Sequence, residues 1–356
     1  MVFFTITVFL SALWSDGLSM MKMLVLTNNP QRASFRQRIE VYLDLLRRNG
    51  ISCQVAQFPR QALARWRLLR NSREYDAVFL QKRRLNILDA RMLRHHAKKI
   101  IYDFDDAVMY DPEAPERNSL SRALPFHRTV RIADLVIAGN SYLAEHARKF
   151  SANVEVLPTG LDTKSYAVNG NKQCDGKVRL VWIGSRNTLP YLFELRPVLE
   201  DLASRRAKVI LRIISDEFFE LKNMPVEKCP WSVSTQYVDL AASDIGLAPL
   251  PDNRFTRGKC GFKILQYAAA GVPTVASPVG VSAQYVQDGV TGFLASEPGQ
   301  WTQRISELLD RPDLRLEMGT RAREFVRAYD ASVIGEQLAN LLRRYLGVSN
   351  PEQYLP

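Results

Sequence analysis

The chain has 356 residues, 46% hydrophobic and 24% charged, a balance that excludes both a disordered polar chain and one embedded throughout in a membrane. Its length is generous for one doubly wound domain and comfortable for two, each with its own core. Of the net charge of +11, +9 lies in the first 165 residues, which suggests an anionic partner or simply solubility; without paired Cys/His spacing or an aromatic RNP pattern, it argues against nucleic acid.

Residues 1–20 open with an apolar run too short for a convincing span and without the basic flank of a secretory signal. They read as a start-site extension or a weak monotopic anchor, because Met21 immediately precedes a strand at Leu24–Thr27. A polar loop and a helix carrying Ile39, Tyr42, Leu43, Leu45 and Leu46 complete the first βα unit before Gly50. Ile51 to Ala56 is a second strand. The Arg-rich stretch after it, with Trp66, Leu68 and Leu69 among four arginines, suits either a membrane interface or a solvated helix with a core stripe.

Strands at Tyr75–Leu80 and Ile100–Tyr102 flank a basic helix, so βα alternation is sustained and a parallel sheet covered by helices is expected. Asp103, Asp105 and Asp106 then put three carboxylates at a strand's carboxyl end, where open α/β sheets place ligands. Asp105 or Asp106 could orient a hydroxyl or act as a base, and one aspartate capping a helix is the structural alternative. Met109 to Pro125, rich in Pro and charge, reads as mobile. A strand at Ala133–Ala138, a Gly139-Asn140-Ser141 turn into a helix at Tyr142–Lys149, and a strand from Val154 ending at Pro158-Thr159-Gly160-Leu161-Asp162 follow. Gly160 permits a tight turn, and Asp162 suits capping it.

The polar stretch 169–176 reads as a linker, which sets an N-terminal domain at 21–168 and a C-terminal one at 177–330, with a final helical segment at 331–356. The second domain opens with a strand at Val178–Ile183 running into Gly184, Ser185 and Arg186. Lys208–Ile214 and Trp231–Val233 are further strand candidates. Ile245 to Leu250 is a buried strand closed by prolines, followed by a basic loop with Arg254, Arg257, Lys259 and Gly261. Phe262, Ile264, Leu265, Tyr267, Ala268 and Ala269 then fall at helical spacing up to Gly271 and Pro273, and Thr274–Ala276 returns as a strand. A glycine-containing basic loop opening a helix suits a diphosphate, because free N–H groups and the charges of Arg257, Lys259 and Lys263 converge there. The four cysteines, Cys53, Cys174, Cys229 and Cys260, lack metal or disulfide spacing and imply a reducing compartment.

The segment 244–294, with LQYAAAGVPTVASPVG and DGVTGFL, resembles the nucleotide-sugar-binding half of GT-B glycosyltransferases of the retaining family 4 type. That resemblance implies two doubly wound (Rossmann-like) α/β domains facing across a cleft and a last helix crossing back to the N-terminal domain. It also implies a nucleotide-sugar donor as substrate, and neither a cofactor nor an obligatory metal. Donor contacts are then expected from Gly184, Ser185, Arg186, Arg257, Lys259, Gly261, Phe262, Lys263 and Gln266. YDFDDAVM is similar to a segment at the cleft edge of some members, and Asn140, Gly160 and Asp162 would line the acceptor side. Where the family carries two glutamates eight positions apart, this chain has Gly258 and Gln266, an amide able to bond ribose but no side chain at the first position. The expected function is glycosyl transfer with retention to a glycan or lipid-linked acceptor, in cell-surface polysaccharide or glycolipid assembly. The expected location is the cytoplasm with peripheral contact at an anionic inner membrane face. A noncatalytic nucleotide-binding or scaffold protein on the same fold is the competing reading.

Overall fold

The computed structural model describes residues 20–166 and 175–347, so the readings for 1–19, for most of the 169–176 linker and for Cys174 lie outside the described residues. Among the described residues twelve strands form two six-stranded sheets in which every pair is parallel. The first contains β1 (Met21–Thr27), β2 (Ile51–Gln57), β3 (Ala77–Gln81), β4 (Ile100–Phe104), β5 (Leu135–Ala138) and β6 (Val154–Val156), in the order β2-β1-β3-β4-β5-β6. The second contains β7 (Val178–Ile183), β8 (Val209–Ser215), β9 (Val226–Pro230), β10 (Ile245–Ala248), β11 (Thr274–Ala276) and β12 (Gly292–Leu294), in the order β12-β11-β10-β7-β8-β9. This is the pair of doubly wound layers the alternation calls for.

The central strands are buried at every residue, as expected of parallel strands covered on both faces. In β4, Ile101 packs with Tyr42 and Leu157 on one face, while Tyr102 and Phe104 join Phe126 on the other. Strand order reverses between β1 and β3 in the first sheet and between β7 and β10 in the second. Such switch points leave a crevice at the carboxyl ends of the strands. The chain crosses between the sheets twice. Leu161 exchanges backbone bonds with Tyr329 and Ala331, and the helix Ala331–Leu346 buries Ile334, Leu338 and Leu342 against Tyr42 and Leu46.

Two local expectations change. Trp231–Val233 is not a strand, since Ser232 turns the chain by hydrogen bonding Thr235, and Val233 is exposed; the strand lies just before it. The stretch to Pro125 is not wholly irregular either, because a helix runs from Leu120 to Ile132 through Pro125, held down by buried Phe126, Thr129 and Val130. In the Arg-rich helix Ala62–Asn71, Leu69 is buried, Leu63 and Trp66 are exposed, and Arg65 pairs with Asp89. Among the described residues no helix is long and apolar enough to cross a membrane.

Candidate active site

The helix Phe262–Ala269 starts from Gly261, whose φ of 60° lies in the left-handed region and whose absent Cβ makes room for Val281 and Tyr285. Its first turn faces the switch-point crevice of the second sheet, where a cavity of about 200 Å³ is lined by Lys259, Phe262, Lys263, Thr188 and Tyr191, with Asp105 and Asp106 from the opposite domain. An adjoining pocket shares Pro249 and Leu250 and adds Leu195 and Trp301 together with the polar Glu194, Asp252, Ser277 and Ser296. Lys263 Nζ lies 4.3 Å over the Trp182 ring, and among the described residues no carboxylate pairs with it. Gly184 is a glycine because a Cβ there would meet the same indole at 2.4 Å.

Burial, with the neighbouring Lys259, lowers the Lys263 pKa from its ordinary 10.5 to about 7. The unfolded chain therefore binds more protons than the folded one between those values, so this residue makes stability rise with pH across that window and leaves a buried cation below it. Subtracting the Tm profile of Lys263→Met from that of the native protein should reveal this rise between pH 7 and 10.5. A flat difference would mean that Lys263 is not desolvated.

Across the cleft, Lys82 joins two carboxylates, with Nζ 2.7 Å from Asp105 Oδ1 and 2.5 Å from Asp106 Oδ2. Lys82 has a φ of 53°, a left-handed backbone that a lysine adopts only under constraint, and its N–H donates to the Asp103 carbonyl. Lys259 approaches Asp106 Oδ1 at 3.4 Å from the second domain. Burial pushes Asp106 up, but Lys82 and Lys259 outweigh it and hold the carboxyl at about 2. A carboxylate held so low accepts a proton poorly at neutral pH, so ion pairing and orientation suit Asp106 better than base catalysis. Asp103 does not line the cavity, as it is buried within β4 and gripped by Arg38 at 2.7 Å. Cys260 donates its thiol to the Asp105 carbonyl, and burial pushes that thiol well above its ordinary range, which leaves it inert.

The other residues singled out in the sequence lie elsewhere. Arg257 is exposed and paired with Asp252, and Arg186 is exposed with its backbone N–H on Asp216; Ser185 helps close that turn. Gln266 is buried beneath the helix, donating its amide hydrogens to Tyr166 Oη at 2.8 Å and Gln236 Oε1 at 3.2 Å, with its carbonyl oxygen left as an acceptor. Asn140 caps its own helix by accepting from Leu143 N–H and pins the basic loop by donating to the Gly258 carbonyl. Gly160 and Asp162 do not line the cavity. Gly160 gives room to Tyr42 and Ile334 at the domain crossover, and Asp162 accepts from Lys164 N–H and Ser165 Oγ, capping a turn. Lys82, Thr188 and Tyr191 were not singled out in the sequence. Lys82 had a signal, because Lys82-Arg83-Arg84 directly follows an apolar strand.

Residues 220–311 match the family model described as glycosyl transferases group 1. No curated protein sequence matches the chain. Among solved structures it is similar to HepE from Anabaena in complex with UDP and glucose, at 17% identity over 91% of this chain and 100% of that one, with a TM-score of 0.69. The complex of the same protein with UDP-glucose gives 17% identity over 91% and 100% and a TM-score of 0.67. Sucrose-phosphate synthase from Thermosynechococcus elongatus gives 15% over 92% and 100%, with 0.68. At these identities the likeness is one of fold.

Proposed function

We propose, from the premise that this chain is a glycosyltransferase of GT-B architecture with a group 1 glycosyl transferase domain at residues 220–311, that it transfers a sugar with retention from a UDP-type donor to a hydroxyl held beside Asp105 and Asp106. The carrying observation is Lys263, a desolvated cation with no carboxylate partner in the first turn of a helix opening on the switch-point crevice. A diphosphate there would meet its charge and the unpaired N–H groups of the helix start together. Stabilising the departing diphosphate oxygens lowers the barrier to cleavage of the glycosidic bond. Those oxygens are stronger bases than a carboxylate held near 2, so the acceptor proton passes to the leaving group while Asp105 and Asp106 orient the hydroxyl. The UDP and UDP-glucose complexes of HepE support the choice of nucleotide.

Transfer and hydrolysis measured over a panel of sugar nucleotides test this reading, and nucleotide binding without turnover of any donor would instead favour a noncatalytic binding protein. The polysaccharide or glycolipid product and contact with an anionic inner leaflet remain part of the same proposal, carried by the basic first domain.

The ribose contact expected of Gln266 belongs to the same proposal, through the carbonyl oxygen that its amide bonds to Tyr166 and Gln236 leave as an acceptor. Gln266→Glu should keep turnover within about tenfold, whereas Gln266→Leu should chiefly raise the donor KM. A lower Tm with KM unchanged would assign the residue to packing against Tyr166 and Gln236 alone.

A further inference from the structure

A second crevice opens at the switch point of the first sheet, where the loops after β1 and β3 diverge, and holds a cavity of about 370 Å³. Arg32, Lys82, Arg84 and Arg122 line it, and its one carboxylate, Asp106, is already shared by Lys82 and Lys259. Arg122 has a partner in Asp111. Among the described residues Arg84 forms no ion pair, and its Nη1 is buried without a hydrogen-bond partner. Burial, Arg122 and Arg83 lower the Arg84 pKa from its ordinary value and outweigh the opposing pull of Tyr102 and Asp111, so its charge is only partly compensated. Crowding such groups costs stability unless an anion joins them.

We propose that this cavity binds a phosphate monoester carried by the acceptor. Several converging cations fit a dianion with three terminal oxygens better than a carboxylate, and the guanidinium fork matches phosphate geometry. Asp106 is the wall common to this cavity and to that of Lys263. A phosphate anchored on the arginines therefore leaves a neighbouring hydroxyl of the same molecule beside Asp106, facing the donor. The proposal rests on the reading of the chain as a sugar transferase and names the class of its acceptor.

Calorimetry in saturating UDP, with glucose 6-phosphate in one arm and phosphatidylcholine vesicles carrying phosphatidylinositol 4-phosphate, a lipid with both a phosphate monoester and ring hydroxyls, in the other, tests it. Binding in the first arm identifies a soluble sugar phosphate, and binding in the second alone a lipid-linked one. In the arm that binds, Arg84→Gln should weaken affinity about tenfold or more without lowering Tm, while Arg205→Gln, at an exposed arginine paired with Asp201 outside both cavities, should not change it. Absence of binding in both arms, equal affinity in Arg84→Gln, or equal competition by glucose or glucuronate would overturn the proposal. If UDP fails to bind while glucose 6-phosphate binds through Arg84, the donor reading falls and the phosphate site stands.

Discussion

Replacing Lys263 by methionine is expected to weaken binding of a nucleoside diphosphate by roughly ten- to a hundredfold, the loss of one charge-assisted contact of about 1.5–3 kcal/mol. The unliganded protein should be no less stable at neutral pH. The cation–π contact with Trp182 is lost, but so is the cost of holding a half-neutralised, partly desolvated ammonium beside Lys259. Weakened binding with Tm kept marks a residue retained for a ligand. Calorimetry with UDP and a melting curve on the same preparation decide it, and unchanged UDP affinity would remove Lys263 from the donor site.

Placing a glutamate at position 258, where transferases of the family 4 type carry their first one, by Gly258→Glu should lower Tm by several degrees and reduce turnover. A Cβ at 258 would stand 2.7 Å from Ala107 Cβ, 2.9 Å from Leu143 Cδ2 and 3.0 Å from the Ala107 nitrogen. Overpacking of this kind costs about 1–3 kcal/mol before the carboxylate is considered, and a carboxylate against Ala107 and Leu143 adds a buried charge. The basic loop would lift away, loosening the bond from Asn140 to the Gly258 carbonyl and the approach of Lys259 to Asp106. The glutamate's absence is thus part of how the loop closes on the first domain. Gly258→Glu with raised turnover and an unchanged Tm would show instead that the loop is free to move and that the carboxylate is simply missing.

The contrast between Lys263 and Arg257 shows what could be read in advance. Both are basic residues beside the same glycine loop, and sequence alone ranks them alike. Lys263 falls on the inner side of the first helical turn, whereas Arg257 sits in a short helical turn facing solvent and neutralised by Asp252. Asp103 and Asp105 are likewise two residues apart, yet β4 ends between them. Asp103 remains in the sheet and meets Arg38, while Asp105 lies in the following loop and meets Lys82.

The sequence by itself determined the elements that local periodicity and punctuation specify, namely buried apolar runs as parallel strands, the helix after Gly261 and the loops that end at the cleft. It also placed the basic loop and the Asp105-Asp106 pair at strand carboxyl ends, because strand order in such sheets leaves few other places for ligands. Only the tertiary structure decided which charges remain available. Ion pairing depends on groups far apart in the chain, so Lys82 could not be joined to Asp106 before β3 and β4 were paired in the first sheet, nor Lys259 to the same carboxylate before the two domains were set face to face. The same holds for Gly258, which in the sequence reads as a variant position without the side chain that the resemblance leads one to expect. Against Ala107 and Leu143 it is a matter of room.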